Sequence, residues 1–139
     1  MALRYLLDTN VLSEPMRPIP DPEVMNRITV AGDAIATASP VWHELKLGHL
    51  RLPAGKRRRA IETIIHAIST TLVILPYDAN AAAWHARERA RLTRLGKPPP
   101  FVDGQIAAVT AVNDLVLVTR NVRDFAGFTG LRVESWFSA

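Results

Sequence analysis

The sequence predicts an α/β fold, a three-layer sandwich with a mostly parallel central sheet. Short apolar runs alternate along the chain with longer segments in which apolar residues recur at helical spacing. Two of the apolar runs are continuous, which is typical of strands buried on both faces. Because strands separated by helices need crossover connections, neighbouring strands should run parallel, with helices on both sides of the sheet.

The elements of the first half follow from apolar runs and helix-start patterns. Tyr5–Leu7 predicts the first strand. Asp21 followed by Pro22 is an N-cap with proline in the first turn, and it predicts a helix to about Val30. Ala34–Thr37 predicts the second strand.

The same pattern of cap and proline returns at Ser39 and Pro40, where we expect Ser39 to cap a helix. Another helix begins near Lys56, because isoleucines recur beyond it at helical spacing. Leu72–Leu75 is one of the two continuous apolar runs and predicts a strand buried on both faces.

In the last third, Asp78 predicts the start of a long helix that ends near Leu95. Alanines recur there every fourth residue, so we expect another helix to approach closely at this stripe, which consists of Ala82, Ala86 and Ala90. The remaining elements are a helix, a buried strand, a helical turn and a last strand. They cover Phe101–Asn113, Leu115–Thr119, Val122–Phe125 and Leu131–Glu134.

Length and composition favour one folded domain, which we predict to span residues 1–139. Apolar residues make up 48% of the chain and charged residues 22%, which excludes a disordered or fibrous protein. The absence of cysteine excludes disulfides, thiolate metal sites and a cysteine nucleophile. No apolar run could span a bilayer, and the stretch before Asp8 is too short for a signal peptide, so we expect a cytoplasmic protein.

The chain is basic, with 17 Lys and Arg residues against 13 Asp and Glu residues and a net charge of +4. A small basic protein favours a polyanionic partner, and nucleic acid is the first candidate. Several arginines could contact RNA or a protein partner, although they could equally be solvent-exposed. They are Arg57, Arg58, Arg59, Arg87, Arg91 and Arg120.

Three acidic residues stand where functional groups collect in parallel sheets, near the carboxyl ends of strands. Asp8 follows the first strand directly, Glu44 lies early in the helix after the second, and Asp103 opens the helix before the fourth. Clustered carboxylates repel each other, and a hard cation such as Mg²⁺ or Mn²⁺ relieves that repulsion. The alternative is that Asp8 caps a helix, Asp103 complements a helix dipole and Glu44 is merely exposed.

Four short motifs stand in order along the chain: LDTNVL at 7–12, SPVWHEL at 39–45, DGQIAA at 103–108 and LVTRNVRDF at 117–125. Together they resemble the motifs of PIN domains, and especially those of the VapC toxins of bacterial toxin–antitoxin pairs. The first motif continues with Ser13 and Glu14, which suggests the FitB-like branch. The expected sandwich is therefore PIN-like.

The resemblance implies a metal-dependent endoribonuclease with Mg²⁺ or Mn²⁺ as cofactor. It also implies a toxin that forms a homodimer and a hetero-oligomer with a cognate VapB-type antitoxin, which covers the metal site. That complex would bind operator DNA through the antitoxin, and no membrane is involved. The alternative is a non-catalytic basic α/β module that binds nucleic acid or a protein.

The motif positions also imply roles for single residues. Asp8, Glu44 and Asp103 would be the catalytic acids and the metal ligands. The fourth acidic position falls at Asn121, with Asp124 as the other candidate, although we expect Asp124 to be structural. Three further residues would support the ligands or contact the substrate. They are Thr9, Asn10 and Thr119.

Overall fold

A five-stranded sheet forms the centre of the fold, and every pair of neighbouring strands in it is parallel. A computed structural model describes residues 2–138, so Met1 and Ala139, the two ends of the predicted domain, lie outside the described residues. The strands are β1 (Tyr5–Leu7), β2 (Ile35–Ala38), β3 (Val73–Leu75), β4 (Val116–Val118) and β5 (Arg132–Glu134). Their order across the sheet is β3-β2-β1-β4-β5.

Helices connect the strands, as the alternating sequence pattern predicts. They are α1 (Thr9–Leu12), α2 (Pro22–Ala31), α3 (Ser39–Leu50), α4 (Lys56–Thr71), α5 (Ala79–Arg94) and α6 (Phe101–Val112). A short 3₁₀ helix at Val122–Phe125 links β4 to β5. In the part of the chain that the structure describes, no helix is both long and apolar enough to cross a membrane.

Both faces of the central strands are covered. Leu6 and Leu7 are neighbours in β1 and therefore point to opposite faces of the sheet, yet both are completely buried. Leu117 and Val118 behave in the same way in β4. The burial of adjacent residues confirms the predicted three-layer α/β sandwich.

Two local predictions were wrong. Leu72–Leu75 contributes an edge strand, in which Val73 is 44% exposed, because β3 has a neighbour on one side only. Ser39 does not cap α3, since its Oγ instead accepts a hydrogen bond from the backbone N–H of Tyr77 at 3.2 Å. This bond joins the segment after β2 to the segment after β3.

The alanine stripe of α5 is not the face that α6 meets. Ala86 and Ala90 are exposed, and three of the four buried residues of α5 are larger than alanine. The buried residues are Ala81, His85, Glu88 and Leu92. The small residue at this helix contact lies on α6 instead, because Gly104 packs directly against the ring of His85.

Candidate active site

The first and fourth strands meet at the centre of the sheet, and the candidate site lies where both strands end. Asp8 follows β1, Thr119 follows β4, and the backbone N–H of Asp8 donates to the carbonyl oxygen of Val118 at 2.9 Å. The strand order reverses at β1, which has β2 on one side and β4 on the other. Parallel sheets form their ligand crevices at such a reversal, outside the carboxyl ends of the strands.

A network of short hydrogen bonds holds the Asp8 carboxylate. Its Oδ1 accepts from the backbone N–H of Thr9 at 2.8 Å, and its Oδ2 accepts from the hydroxyl of Thr119 at 2.8 Å. The amide of Asn10 lies 3.5 Å from Asp8 Oδ2 and 3.4 Å from the Thr119 oxygen. Asp8 is thus the N-cap of α1, and it is also held by a residue 111 positions away in the chain.

The supporting residues are fixed in turn by backbone groups. Asn10 accepts a hydrogen bond from the N–H of Arg120 at 3.0 Å, and the Thr119 oxygen accepts from the N–H of Asn121 at 3.1 Å. The carboxylate therefore has one orientation, which a helix cap alone would not require.

Glu44 and Asp103 reach the same edge of the sheet from two helices. Glu44 lies on α3 with an exposed side chain, and its Oε2 accepts a hydrogen bond from the hydroxyl of Thr9 at 2.8 Å. Asp103 lies in the first turn of α6 and is partly buried. Thr9 therefore contacts two of the three predicted acids, Asp8 through its backbone and Glu44 through its side chain.

The carboxylates are close enough to influence each other's ionisation. Burial raises the pKa of Asp103 to about 6, and the negative charges of Asp8, Asp124 and Glu44 add to this rise. Burial also raises the pKa of Asp8, while the hydrogen bonds from Thr119 and Thr9 oppose that rise. Among residues 2–138, none of these four acids forms a salt bridge with a basic side chain.

The raised pKa of Asp103 makes the stability of the fold depend on pH. The pKa of Asp103 rises from 3.8 to about 6 on folding, so the neutral carboxyl stabilises the folded state below pH 3.8. That contribution is lost as the pH rises through about 6. Asp103→Asn should therefore raise the free energy of unfolding at pH 7.5, in EDTA, by about 1 kcal/mol after allowance for solvent screening. Urea unfolding at pH 4 should show no such gain, and an equal effect at both pH values would contradict the assignment.

The donor set fits a hard divalent cation. Within residues 2–138, no three Asp, Glu or His side chains are grouped closely enough to form a ready-made metal site. The acids at this edge nevertheless offer only oxygen, which Mg²⁺ and Mn²⁺ prefer. The charge of Asp8 helps to raise the pKa of Asp103, and a cation bound between them would have the opposite effect.

The two candidates for a fourth position differ in their electrostatic effect. Asn121 is exposed at the start of the 3₁₀ helix, and its backbone N–H, rather than its side chain, contacts Thr119. The negative charge of Asp124 contributes to the raised pKa of both Asp8 and Asp103. Asp124 therefore belongs to the electrostatic environment of the site. A purely structural role, which the sequence led us to expect for Asp124, does not by itself predict this effect.

The predicted arginines occupy different surroundings. Arg57, in the first turn of α4, lines a cavity of about 310 Å³ together with Thr9 and Glu44. The side chain of Arg91 makes contacts within the fold, because it forms a salt bridge with Glu88 at 2.9 Å and donates a hydrogen bond to the carbonyl oxygen of Gly127. The guanidinium of Arg120 lies 4.7 Å from the ring centre of Phe137. The others are partly or fully exposed. They are Arg58, Arg59 and Arg87.

Some residues beside the site were not among the predicted site residues, although Gln105 lies within the motif DGQIAA. His49 is 4% exposed, lines the same cavity as Arg57, and has no hydrogen-bond partner for either ring nitrogen among the described residues. Tyr77 and Gln105 line a second cavity that also includes Glu44. The position of Tyr77 just after β3 is the one sequence signal that could have indicated it, by the same carboxyl-end rule that identified Asp8.

Known proteins resemble this chain over nearly its whole length. The tRNA(fMet)-specific endonuclease VapC of Salmonella typhimurium is 30% identical over 134 residues, which cover 96% of this chain and 98% of that protein. Toxin FitB of Neisseria gonorrhoeae is 34% identical over 125 residues, covering 86% and 89%. The crystal structure of DNA-bound VapBC from Salmonella typhimurium contains a chain of 28% identity with a TM-score of 0.85, covering 96% and 98%. No protein-family profile matches the chain.

Proposed function

The chain belongs to the VapC family of toxin endoribonucleases, and from this membership we propose that it hydrolyses RNA phosphodiester bonds with a divalent cation at Asp8, Asp103 and Glu44. One observation carries the proposal. Acids from three separate elements converge at the carboxyl edge of β1 and β4, where their combined charge adds to burial in raising the pKa of Asp103 to about 6. No observation favours the alternative of a non-catalytic module, whose acids would serve only as caps.

The chain's own residues would hold and orient the reacting groups. Asp8 and Asp103 would bind the cation, which we propose to be Mg²⁺ or Mn²⁺, and Glu44 would bind it directly or through water. When bound, such a cation supplies Lewis-acid activation of water and positive charge opposite the developing phosphate oxyanions. Thr119 and Asn10 would keep the Asp8 carboxylate in one orientation, because both lie within hydrogen-bond distance of its Oδ2.

The partners follow from the relatives. VapC of Salmonella typhimurium is known in a DNA-bound complex with its antitoxin. We propose that this chain likewise forms a homodimer and binds a VapB-type antitoxin that covers the acidic edge, with operator DNA bound through the antitoxin. The cavity that joins Arg57 to Glu44 and Thr9 would admit an antitoxin segment beside the site. We propose that the chain acts in the cytoplasm, where RNA and an antitoxin would both be available.

Removal of divalent cations should abolish cleavage. The purified chain, freed of antitoxin, is incubated with single-stranded RNA in buffer containing Mn²⁺, in EDTA, and in EDTA followed by excess Mn²⁺. We expect cleavage only in the first and third mixtures, because the acids would repel the substrate phosphate when no cation is bound. Undiminished cleavage in EDTA would contradict the assignment of the acids, and no cleavage in any mixture would contradict the proposed function.

The role of Asp124 can be separated from that of Asn121. Asp124→Asn removes a charge that acts on both Asp8 and Asp103, so the affinity for Mn²⁺ should fall by roughly tenfold in calorimetric titration. Asn121→Ala is the matched control and should bind Mn²⁺ as the wild type does. If Asp124→Asn binds Mn²⁺ normally and only melts at a lower temperature, Asp124 is a structural residue.

A further inference from the structure

A second cavity adjoins the candidate active site. It has a volume of about 300 Å³ and shares Glu44, but no other residue, with the cavity that Arg57 lines. Residues that follow β2 and β3 form its floor, and α6 forms one wall. The lining consists of Ser39, Pro40, His43, Glu44, Tyr77, Val102 and Gln105. Because Glu44 lines this cavity, an RNA whose reacting phosphate lay at Glu44 would have an adjacent nucleotide beside the cavity.

The charge of the lining excludes a phosphate as its occupant. No Lys or Arg lines this cavity, and its one acidic residue is Glu44, whose carboxylate repels anions; His43 is the one basic side chain of the lining. The other cavity, by contrast, includes Arg17 and Arg57. The two cavities beside Glu44 thus differ in chemistry, and the one at Tyr77 suits a neutral group.

The polar groups of this cavity are available for hydrogen bonding. Gln105 is half-buried, and its amide makes no hydrogen bond with any residue of the described range. The side chain of His43 is exposed at the rim. An unpartnered primary amide offers both a donor and an acceptor, which is the pattern that the edge of a nucleobase requires.

The aromatic wall of the cavity is held rigidly. The Tyr77 hydroxyl lies 2.8 Å from Nδ1 of the buried His85, and the Tyr77 backbone N–H donates to Ser39 Oγ. Burial, together with the charge of Arg89, lowers the pKa of His85, which favours the neutral ring beside the tyrosine. A tyrosine fixed at both ends offers its ring face or edge at a lower side-chain entropy cost on binding.

We propose that this cavity binds one nucleobase of the RNA, next to the scissile phosphodiester. Tyr77 contacts the base through its ring, and Gln105 reads the base edge through its amide. Single-stranded RNA is recognised in this way, by aromatic contact with an unstacked base and hydrogen bonds to its edge. The inference rests on the proposed ribonuclease function and makes Gln105 a specificity-determining residue of it.

The test measures cleavage preference rather than activity alone. Wild type, Gln105→Ala, Tyr77→Phe and the matched control Asn26→Ala are incubated with Mn²⁺ and a pool of single-stranded RNAs of random sequence, and the cleaved ends are sequenced. Asn26 is an exposed amide on α2, so its removal should leave the profile unchanged. In Gln105→Ala, the preference at one position beside the cut should fall fivefold or more, with the other positions unaffected. Tyr77→Phe keeps the ring but loses the hydroxyl that contacts His85, so the same preference should weaken less than in Tyr77→Leu, which removes the ring.

The outcomes separate the inference from the function on which it rests. A Gln105→Ala profile identical to that of the wild type overturns the nucleobase site while the ribonuclease assignment stands. The same holds if Gln105→Ala keeps the profile but loses antitoxin binding, since the cavity would then serve a protein partner. Failure of the wild type to cleave any RNA overturns both. Thermal melts of the wild type, Gln105→Ala and Asn26→Ala should agree within a few degrees, whereas Tyr77→Phe should melt lower because Nδ1 of the buried His85 loses its partner. Tyr77→Leu, which removes the ring, should weaken the same preference.

Discussion

Replacing Asp8 or Asp103 by asparagine is expected to lower RNA cleavage by at least about 100-fold, the loss typical of removing one electrostatic contact from a transition state. Asparagine keeps the size of the side chain and removes the charge that a hard cation requires. In Asp8→Asn, the side-chain amide oxygen can still accept the hydrogen bond from the N–H of Thr9, so the cap of α1 should survive. Initial rates on a single-stranded RNA, measured in Mn²⁺, provide the test.

The control is Asp33→Asn. This variant changes an exposed acid that precedes β2, away from the carboxyl ends of the strands, and it should cleave at the wild-type rate. Asp103→Asn carries a second signature, because it should be inactive and yet more stable than the wild type at pH 7.5 without metal. A helix-dipole role for Asp103 predicts the reverse, a less stable protein that still cleaves. Near-normal cleavage by either variant would refute the proposed ligand set.

Gly104→Ala should destabilise the fold by about 2–3 kcal/mol, which is roughly 6–10 °C in Tm. A Cβ at this position would collide with Nε2 of His85 and lie 2.6 Å from its Cδ2. The ring cannot move away freely, because it is 2% exposed and bonded to Tyr77 at 2.8 Å. The helices α5 and α6 must separate instead, and thermal melting measures the cost.

Gly48→Ala is the matched control. Gly48 lies within α3, and a Cβ there meets nothing within 4 Å, so alanine should stabilise the helix by up to about 1 kcal/mol. In a His85→Ala background, Gly104→Ala should cost much less, since the colliding ring is gone. An equal cost in both backgrounds would show that the contact with His85 is not the reason for glycine at this position.

Local chemistry made much of the architecture predictable. The start of α2 at Pro22 and the start of α5 after Asp78 agree with the structure, because the Asp21 and Asp78 side chains accept hydrogen bonds from the first-turn N–H groups. The first strand, Tyr5–Leu7, agrees to the residue. The two helix starts depend on contacts within a few positions of the chain, which a sequence displays directly, whereas the strand is recognised from its apolar run although its pairing partners are distant.

The sequence by itself thus determined the order of the elements and the parallel sheet. From the strand positions alone, the carboxyl-end rule also predicted that Asp8, Glu44 and Asp103 would lie near one edge. Tertiary structure alone decided which polar side chains serve distant partners. Ser39 accepts a hydrogen bond from Tyr77 instead of capping its own helix. The charge of Asp124 raises the pKa of Asp8, which lies more than 100 residues earlier in the chain. The face of α5 that meets α6 was decided in the same way, by the ring of His85 against Gly104. Hydrogen bonds, charge interactions and packing depend on distance in space, and the sequence reports only distance along the chain.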